Sequence, residues 1–70
     1  MKDIVSKKFR HYKGNEYMVL NIVKHSETLE KMVVYQDLSD EKKLWVRPYD
    51  MFVGNVEIDG KMVKRFEECK

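Results

Sequence analysis

The longest apolar stretch of the chain is EYMVLNIVKH at residues 16–25, and both of its alternating sets of positions are apolar. The two sets are Tyr17, Val19 and Val23, and Met18, Leu20 and Ile22. Many of these residues are β-branched or aromatic, Gly14-Asn15 before them signals a turn, and no 3.6-residue period is present, so the pattern predicts a strand. A strand with two apolar faces is typical of a small curved barrel, because curvature can bury both faces.

Shorter stretches on either side predict further strands. KKFRHYKG at residues 7–14 opens the chain, KMVVYQD spans residues 31–37, and LWVRP spans residues 44–48. Near the end of the chain, Asp59-Gly60 separates the apolar-rich segments VEI and KMVKRF. An Asp-Gly pair in this setting is typical of a two-residue hairpin with a type I′ turn.

The predicted elements together indicate an all-β fold. Pro48 lacks the N–H that a ladder requires and suits the first turn of a helix, which is expected to return Met51 and Phe52 to the core. The pattern predicts a small SH3-like curled barrel of five to six short antiparallel strands with one short helical turn near residues 48–52. A partly open sheet with a helix at one end is the alternative. A chain of 70 residues is expected to form one small β domain over residues 1–70.

The composition describes a globular protein with a strongly charged surface, since 43% of residues are apolar and 37% are charged. No stretch approaches the roughly 20 apolar residues of a membrane span, and the start MKDIVSKKF lacks a secretory signal, so we expect a cytoplasmic protein with no membrane partner. The net charge of +2 is too small to predict a nucleic-acid partner by itself. The basic residues within 1–13 could attract a polyanion, but lysines on a strand edge also discourage strand pairing.

Few residues of the chain could hold a metal or a cofactor. The single cysteine, Cys69, and the two histidines, His11 and His25, match no zinc-ligand spacing. The three glycines stand apart at positions 14, 54 and 60, so the chain has no Gly-rich phosphate loop. We therefore expect no metal site and no cofactor.

HSETLE at residues 25–30 is the first candidate functional segment. It could bind a ligand, because binding residues concentrate on loops that a rigid scaffold holds. A catalytic triad built on His25 is disfavoured, since neighbours in an extended chain point to opposite faces. The alternative is a polar turn in which Ser26 and Thr28 cap backbone N–H groups and Leu29 packs onto the core.

Trp45-Val46-Arg47 is the second candidate segment. Strand alternation places Trp45 and Arg47 on one face and Leu44 and Val46 on the other, so burial of the aliphatic pair would expose the tryptophan with the arginine. An exposed tryptophan can stack on a planar group, and a guanidinium can hold a phosphate or carboxylate. The alternative is that Trp45 lies in the core and Arg47 covers its ring by a cation–π contact.

Four sequence blocks resemble a small bacterial family known as domain of unknown function 1653. The blocks are HYKGNEYMVL at residues 11–20, HSETLEKMVVYQ at 25–36, LWVRPYDMF at 44–52 and KRFE at 64–67. The resemblance covers nearly the whole chain and implies a stand-alone bacterial domain, without naming an activity. It also implies that several residues belong to the recurring pattern of the family. These are His25, Ser26, Glu27, Thr28, Glu30, Tyr35, Gln36, Trp45, Arg47, Pro48, Met51, Phe52, Arg65 and Phe66.

The favoured hypothesis is a non-enzymatic binding module for an anionic or planar ligand, with nucleic acid as the first ligand class. The predicted ligand-binding residues are His25, Ser26, Glu27, Thr28, Tyr35, Trp45, Arg47 and Arg65. The alternative is a protein-interaction or homo-oligomerising domain in which Trp45, Met51 and Phe52 form the contact, because a small domain without staples gains stability from association. A hydrolase built on His25 and Glu27 is the least favoured hypothesis.

Overall fold

The protein forms seven strands and one short helix in the computed structural model, which describes residues 4–69. In chain order the elements are β1 Lys8–His11, β2 Glu16–Lys24, β3 Lys31–Asp37, β4 Leu44–Pro48, α1 Tyr49–Val53, β5 Asn55–Ile58, β6 Lys61–Lys64 and β7 Phe66–Glu68. The predicted strands at residues 31–37 and 44–48 have the predicted bounds. The last predicted strand is divided at Arg65 into β6 and β7.

Five of the strands form one antiparallel sheet in the order β4-β3-β2-β1-β7, and β5 pairs with β6 in a separate sheet. The last strand, β7, pairs antiparallel with the first strand, β1. Among the described residues, the outermost strands of the larger sheet are therefore β4 and β7. The predicted all-β class is confirmed, but the strands do not close into the predicted SH3-like barrel, and the arrangement is closer to an open sheet with a helix.

A β-bulge explains how β2 accommodates its two apolar sets of positions. The pairing of β2 with β3 shifts register between Val19 and Asn21, so Leu20 is the extra residue. An extra residue reverses the alternation of side chains. Val19 and Ile22 consequently both face the core, whereas Leu20 and Val23 remain exposed on the outer face of the sheet. Barrel closure is not needed, because the outer apolar face is left partly uncovered.

The core lies between the inner face of the larger sheet and α1. Its buried apolar side chains are Ile4, Phe9, Val19, Val33, Tyr35, Phe52 and Phe66. The Phe52 ring stacks on the Phe66 ring with 4.2 Å between centroids. As predicted, Phe52 is buried, but Met51 is exposed, because a helix of five residues turns only part of its surface toward the sheet.

The β5–β6 hairpin is confirmed at the predicted position. Asp59 and Gly60 have φ angles of 51° and 80°, the positive values that a type I′ turn requires. Val56 stands opposite Val63 in the two-stranded ladder. The hairpin continues into the larger sheet through Arg65, whose N–H donates to the Gly54 carbonyl at 3.1 Å.

Candidate functional site

A shallow pocket of about 270 Å³ opens on the inner face of the larger sheet, where β4 meets the turn after β1. The side chains that line it are His11, Lys13, Asn15, Tyr17, Tyr35, Trp45, Arg47 and Phe66. We name it the Trp45 pocket. Its lining contains one lysine, one arginine and one histidine but no aspartate or glutamate, so the pocket favours negative charge.

The antiparallel register of β3 and β4 places Trp45 and Arg47 at this pocket. Trp45 stands directly opposite Tyr35, and Arg47 stands opposite Val33. Directly paired residues share a face, so Trp45 and Arg47 lie on the same face as the buried Tyr35 and Val33. Because β4 is an edge strand, the Trp45 ring reaches only the rim of the core and remains 48% exposed.

Leu44 and Val46 are not the buried pair of β4. Each is 58% exposed on the outer face of the sheet. Sequence alternation correctly separates the two pairs, but the pair that faces inward is Trp45 with Arg47. The tryptophan is thus neither a fully buried core residue nor an isolated surface residue.

Contacts with aromatic side chains hold Arg47 in place. Its Nε–H donates to the Tyr35 hydroxyl at 3.3 Å, and its guanidinium lies 5.8 Å from the centroid of the Phe66 ring. The predicted cation–π contact with Trp45 is therefore made with Phe66 instead. Among residues 4–69, the ion pairs join Lys8 and Arg10 to Glu16, so no described carboxylate neutralises Arg47.

His11 forms one wall of the pocket. Its ring lies edge-on to Phe66 with 4.9 Å between centroids, and its Nδ1 accepts a hydrogen bond from the Lys13 N–H at 3.1 Å. Burial, and then the positive charges of Arg47, Lys13 and Arg65, lower the pKa of His11 below its ordinary value of 6.5. At neutral pH the ring is neutral with its proton on Nε2, because Nδ1 acts as the acceptor.

Sequence reasoning missed the contribution of the turn after β1 to this pocket. His11, Lys13, Asn15 and Tyr17 flank or form that turn, and none of them was predicted as a site residue. The one available signal was Lys13, which belongs to the basic segment at the start of the chain. The other three come next to Trp45 only through the pairing of strands distant in sequence.

The HSETLE segment forms a well-defined turn between β2 and β3. His25 Nδ1 accepts hydrogen bonds from the N–H groups of Glu27 at 3.2 Å and Thr28 at 3.3 Å. The Thr28 hydroxyl accepts one from the Glu30 N–H at 3.2 Å, as predicted for a capping residue. Leu29 is 67% exposed with a φ of 63°, so its predicted packing onto the core is wrong.

The turn at residues 25–30 lies far from the Trp45 pocket. Trp45 pairs with Tyr35, which pairs with Val19, and His25 follows Val19 by six residues of extended chain. At about 3.3 Å per residue Trp45 is roughly 20 Å from the turn along the strands, and Arg47, which pairs through Val33 with Ile22, is roughly 10 Å from it in the same direction. Of the predicted site residues, the structure therefore brings together Tyr35, Trp45 and Arg47. The other predicted residues of the turn, which are His25, Ser26, Glu27 and Thr28, are exposed and do not line the pocket.

Arg65, the last predicted site residue, lies in the link between β6 and β7 and does not line the pocket. Its Nε is buried without a hydrogen-bond partner, and its charge reaches the pocket only by lowering the pKa of His11. Within residues 4–69, no three His, Cys, Asp or Glu side chains lie close enough to hold a metal ion. No described helix is long and apolar enough to cross a membrane.

One solved structure and one family model match this chain, and both belong to the same family. The crystal structure of a DUF1653 protein from Bordetella bronchiseptica matches with a TM-score of 0.80 and 29% sequence identity, over 96% of this chain and 88% of that one. No curated protein sequence matches. The family model described as protein of unknown function, DUF1653, matches residues 7–68, which include every strand from β1 to β7. The chain is therefore a member of the DUF1653 family, as the HSETLE and WVRP blocks predict.

Proposed function

We propose that the protein is a non-enzymatic binding module whose Trp45 pocket holds a planar, anionic ligand, and that this ligand is single-stranded nucleic acid. The observation that carries the proposal is the half-exposed Trp45 ring beside Arg47, Lys13 and His11, in a pocket whose lining contains no carboxylate. Aromatic stacking and basic groups are the two elements of single-stranded nucleic-acid recognition.

In this proposal each part of the pocket has a separate role. A base can stack on the exposed face of Trp45, a contact worth about 1–3 kcal/mol in other single-strand binding proteins. The guanidinium of Arg47 is already oriented by Tyr35 and Phe66, so less side-chain entropy is lost when it binds a phosphate. Lys13 adds a second positive charge at the side of the pocket formed by the turn.

We expect the pocket to hold one nucleotide at a time. A volume of about 270 Å³ is slightly below the range of pockets that enclose drug-sized molecules, roughly 300–1,000 Å³. Lys8 and Arg10 on β1 are paired with Glu16, so they contribute little further attraction for the backbone. We therefore expect weak binding that depends on salt through one or two phosphate contacts.

A titration of a fluorescently labelled single-stranded oligonucleotide at low salt tests this proposal. The parent protein should raise the fluorescence anisotropy of the oligonucleotide. Arg47→Ala should weaken binding about ten- to a hundredfold, because a hydrogen bond to a charged group is worth about 1.5–3 kcal/mol. His25→Ala, on the distant turn, should bind like the parent. Failure of the parent to bind at low salt would overturn the nucleic-acid assignment.

The hydrolase hypothesis at His25 is disfavoured by the use of its ring nitrogen. His25 Nδ1 accepts backbone hydrogen bonds within its own turn, and Glu27 takes part in that turn through its backbone N–H. The homo-oligomer hypothesis keeps Trp45 of the predicted contact, because Trp45 lies on the edge strand β4, but it does not keep Phe52. Phe52 is 0% exposed and cannot form a contact, whereas the outer edge of β4 can.

A further inference from the structure

The two outermost strands of the larger sheet differ in their protection against pairing. β7 has three residues, two of which are the glutamates Glu67 and Glu68. β4 has three consecutive exposed apolar residues, Leu44, Trp45 and Val46, that are 58%, 48% and 58% exposed. Native proteins usually protect free edges with charge, short length or a covering element. The edge of β4 lacks these protections along Leu44, Trp45 and Val46.

The hydrogen-bond pattern shows which backbone groups of β4 face outward. The Asp37 N–H donates to the Lys43 carbonyl at 3.0 Å. In an antiparallel ladder, hydrogen-bonded and non-hydrogen-bonded pairs alternate, so the backbone groups of Trp45 and Arg47 face β3. Those of Leu44 and Val46 face away from the sheet, as does Pro48, which has no N–H to leave unpaired.

We propose that β4 pairs antiparallel with β4 of a second copy of this chain, around a two-fold axis at Val46. In this register the two Val46 residues exchange both of their backbone hydrogen bonds. Trp45 stands opposite Arg47 of the second copy on the inner face, a favourable aromatic–cation pair. The two five-stranded sheets become one continuous sheet.

Charge selects this register over the nearest alternative. Centring the axis on Trp45 would instead pair Leu44 with Val46 of the second copy and would pair Trp45 with itself. That register, however, places Arg47 opposite Lys43 of the second copy on the same face of the sheet. Like charges directly opposite each other destabilise a sheet, and this arrangement would occur twice across the axis. The Val46-centred register avoids it and brings Lys42 toward Asp50 of the other copy.

The pairing also extends the Trp45 pocket. Because Trp45 and Arg47 share the inner face, the second copy places its own Arg47 beside each Trp45, and the two pockets adjoin across the axis. A groove shared between two copies could hold adjacent nucleotides of one strand. The pairing itself does not depend on the identity of the ligand, so the two proposals are tested separately.

Cysteine cross-linking tests the register directly. In a Cys69→Ser background, Val46→Cys should form an intermolecular disulfide under mild oxidation, because hydrogen-bonded partners have Cα atoms about 5.5 Å apart, within the disulfide range. Leu44→Cys is the matched control, since Leu44 and Val46 are equally exposed on the same face. It should remain monomeric on a non-reducing gel. Equal cross-linking of the two variants, or none with Val46→Cys, would overturn the proposed pairing.

Sedimentation velocity tests the association without cross-linking. The parent should show a species of about twice the 8.5 kDa chain mass, with a fraction that rises with concentration. Val46→Pro removes the central outward N–H without removing a hydrogen bond of the protein's own sheet, and it should sediment as a monomer. Val46→Thr keeps the N–H and should still dimerise. Circular dichroism verifies that both variants are folded. A parent that stays monomeric at millimolar concentration contradicts the proposal.

Discussion

The turn after β1 and the turn after β2 both begin with a histidine that caps its own turn. His11 Nδ1 accepts a hydrogen bond from the N–H two residues later, and His25 Nδ1 does the same with the N–H groups two and three residues later. Asparagine and aspartate commonly cap turns in this way. The local structural role of the two histidines is therefore the same.

The surroundings of the two turns differ. His11 packs against the buried Phe66, and its pKa is lowered by burial and by three neighbouring positive charges. His25 is exposed at the far end of the β2–β3 hairpin, and no residue of its turn lines the Trp45 pocket. The same local motif thus forms the wall of a pocket in one place and closes a hairpin in the other. Tertiary packing makes the difference, not residue type or local hydrogen bonding.

Removing the ring beneath the pocket should produce the largest effect. Phe66→Ala deletes a buried ring that contacts His11, Tyr35 and Phe52, and it should lower the free energy of unfolding by about 3–5 kcal/mol. Urea denaturation of the parent and the variant measures this difference. His25→Ala is the comparison at the other turn and should cost about 0.5–1.5 kcal/mol. Similar losses in the two variants would contradict the contrast between the turns.

The contrast should also appear in binding. Lys13 lies in the pocket turn and Lys24 lies at the start of the distant turn, so Lys13→Ala and Lys24→Ala form a matched pair. Lys13→Ala should weaken oligonucleotide binding and reduce the slope of log K against log salt by about one unit. Lys24→Ala should leave both unchanged. Anisotropy titrations at three or more salt concentrations give the slopes, and equal slopes for the two variants would remove Lys13 from the site.

The lowered pKa of His11 predicts a pH dependence of stability. The unfolded chain takes up a proton at this residue near the ordinary pKa of 6.5, before the folded chain does, so protons favour unfolding. The contribution of His11 is complete above that pH and is lost as the pH falls below it. His11→Asn, which can still cap the turn, should flatten the stability profile between about pH 7 and pH 5.

Thermal melts across this range check the prediction, with His25→Asn as the control that should keep the pH dependence due to His11. The series should stop at about pH 5, well above the ordinary carboxylate range. The pKa of Asp37 is lowered from 3.8, first by the hydrogen bond from the Ser39 hydroxyl, so its contribution to stability is lost only at lower pH. A parent profile that is flat below pH 7 would contradict the packing described for His11.

The smallest expected effect is at Leu29 in the distant turn. Its φ of 63° lies in the left-handed region, which costs a non-glycine residue about 1–2 kcal/mol. Leu29→Gly should relieve this strain at some cost in backbone entropy and raise stability by about 0.5 kcal/mol. Leu29→Ala, which keeps the strain, should give no gain in melting temperature. A loss of stability in Leu29→Gly would indicate a structural role for the exposed side chain.

The strands were predictable because their signals are local. Alternation and β-branched content give the bounds of β3 and β4, and Asp59-Gly60 marks the β5–β6 turn. Barrel closure was predicted because the two apolar sets of β2 were both assumed to be buried. The bulge at Leu20, which instead turns Val19 and Ile22 to the same face, has no glycine or other local signal.

The site was only partly predictable because it depends on distant pairing. Trp45 and Arg47 share a face by simple alternation, but the choice of face depends on which side of the sheet carries α1 and the core. His11 contributes because β1 pairs with β2 and β7, which sets its ring beside Phe66. The conspicuous composition of HSETLE drew the prediction to that turn, but turn capping also requires polar residues, so composition alone does not separate the two roles.

We expect ligands to bind at the pocket turn and not at the HSETLE turn, and two-dimensional ¹H–¹⁵N NMR tests this claim most directly. Titration of a labelled sample with a short single-stranded oligonucleotide at low salt should shift the backbone signals of Lys13 and Tyr17 and the indole N–H of Trp45. The Trp45 signal is unambiguous, because the chain has one tryptophan. Signals of residues 25–30 should stay in place. Shifts confined to residues 25–30, or a spectrum that does not change, would contradict the claim.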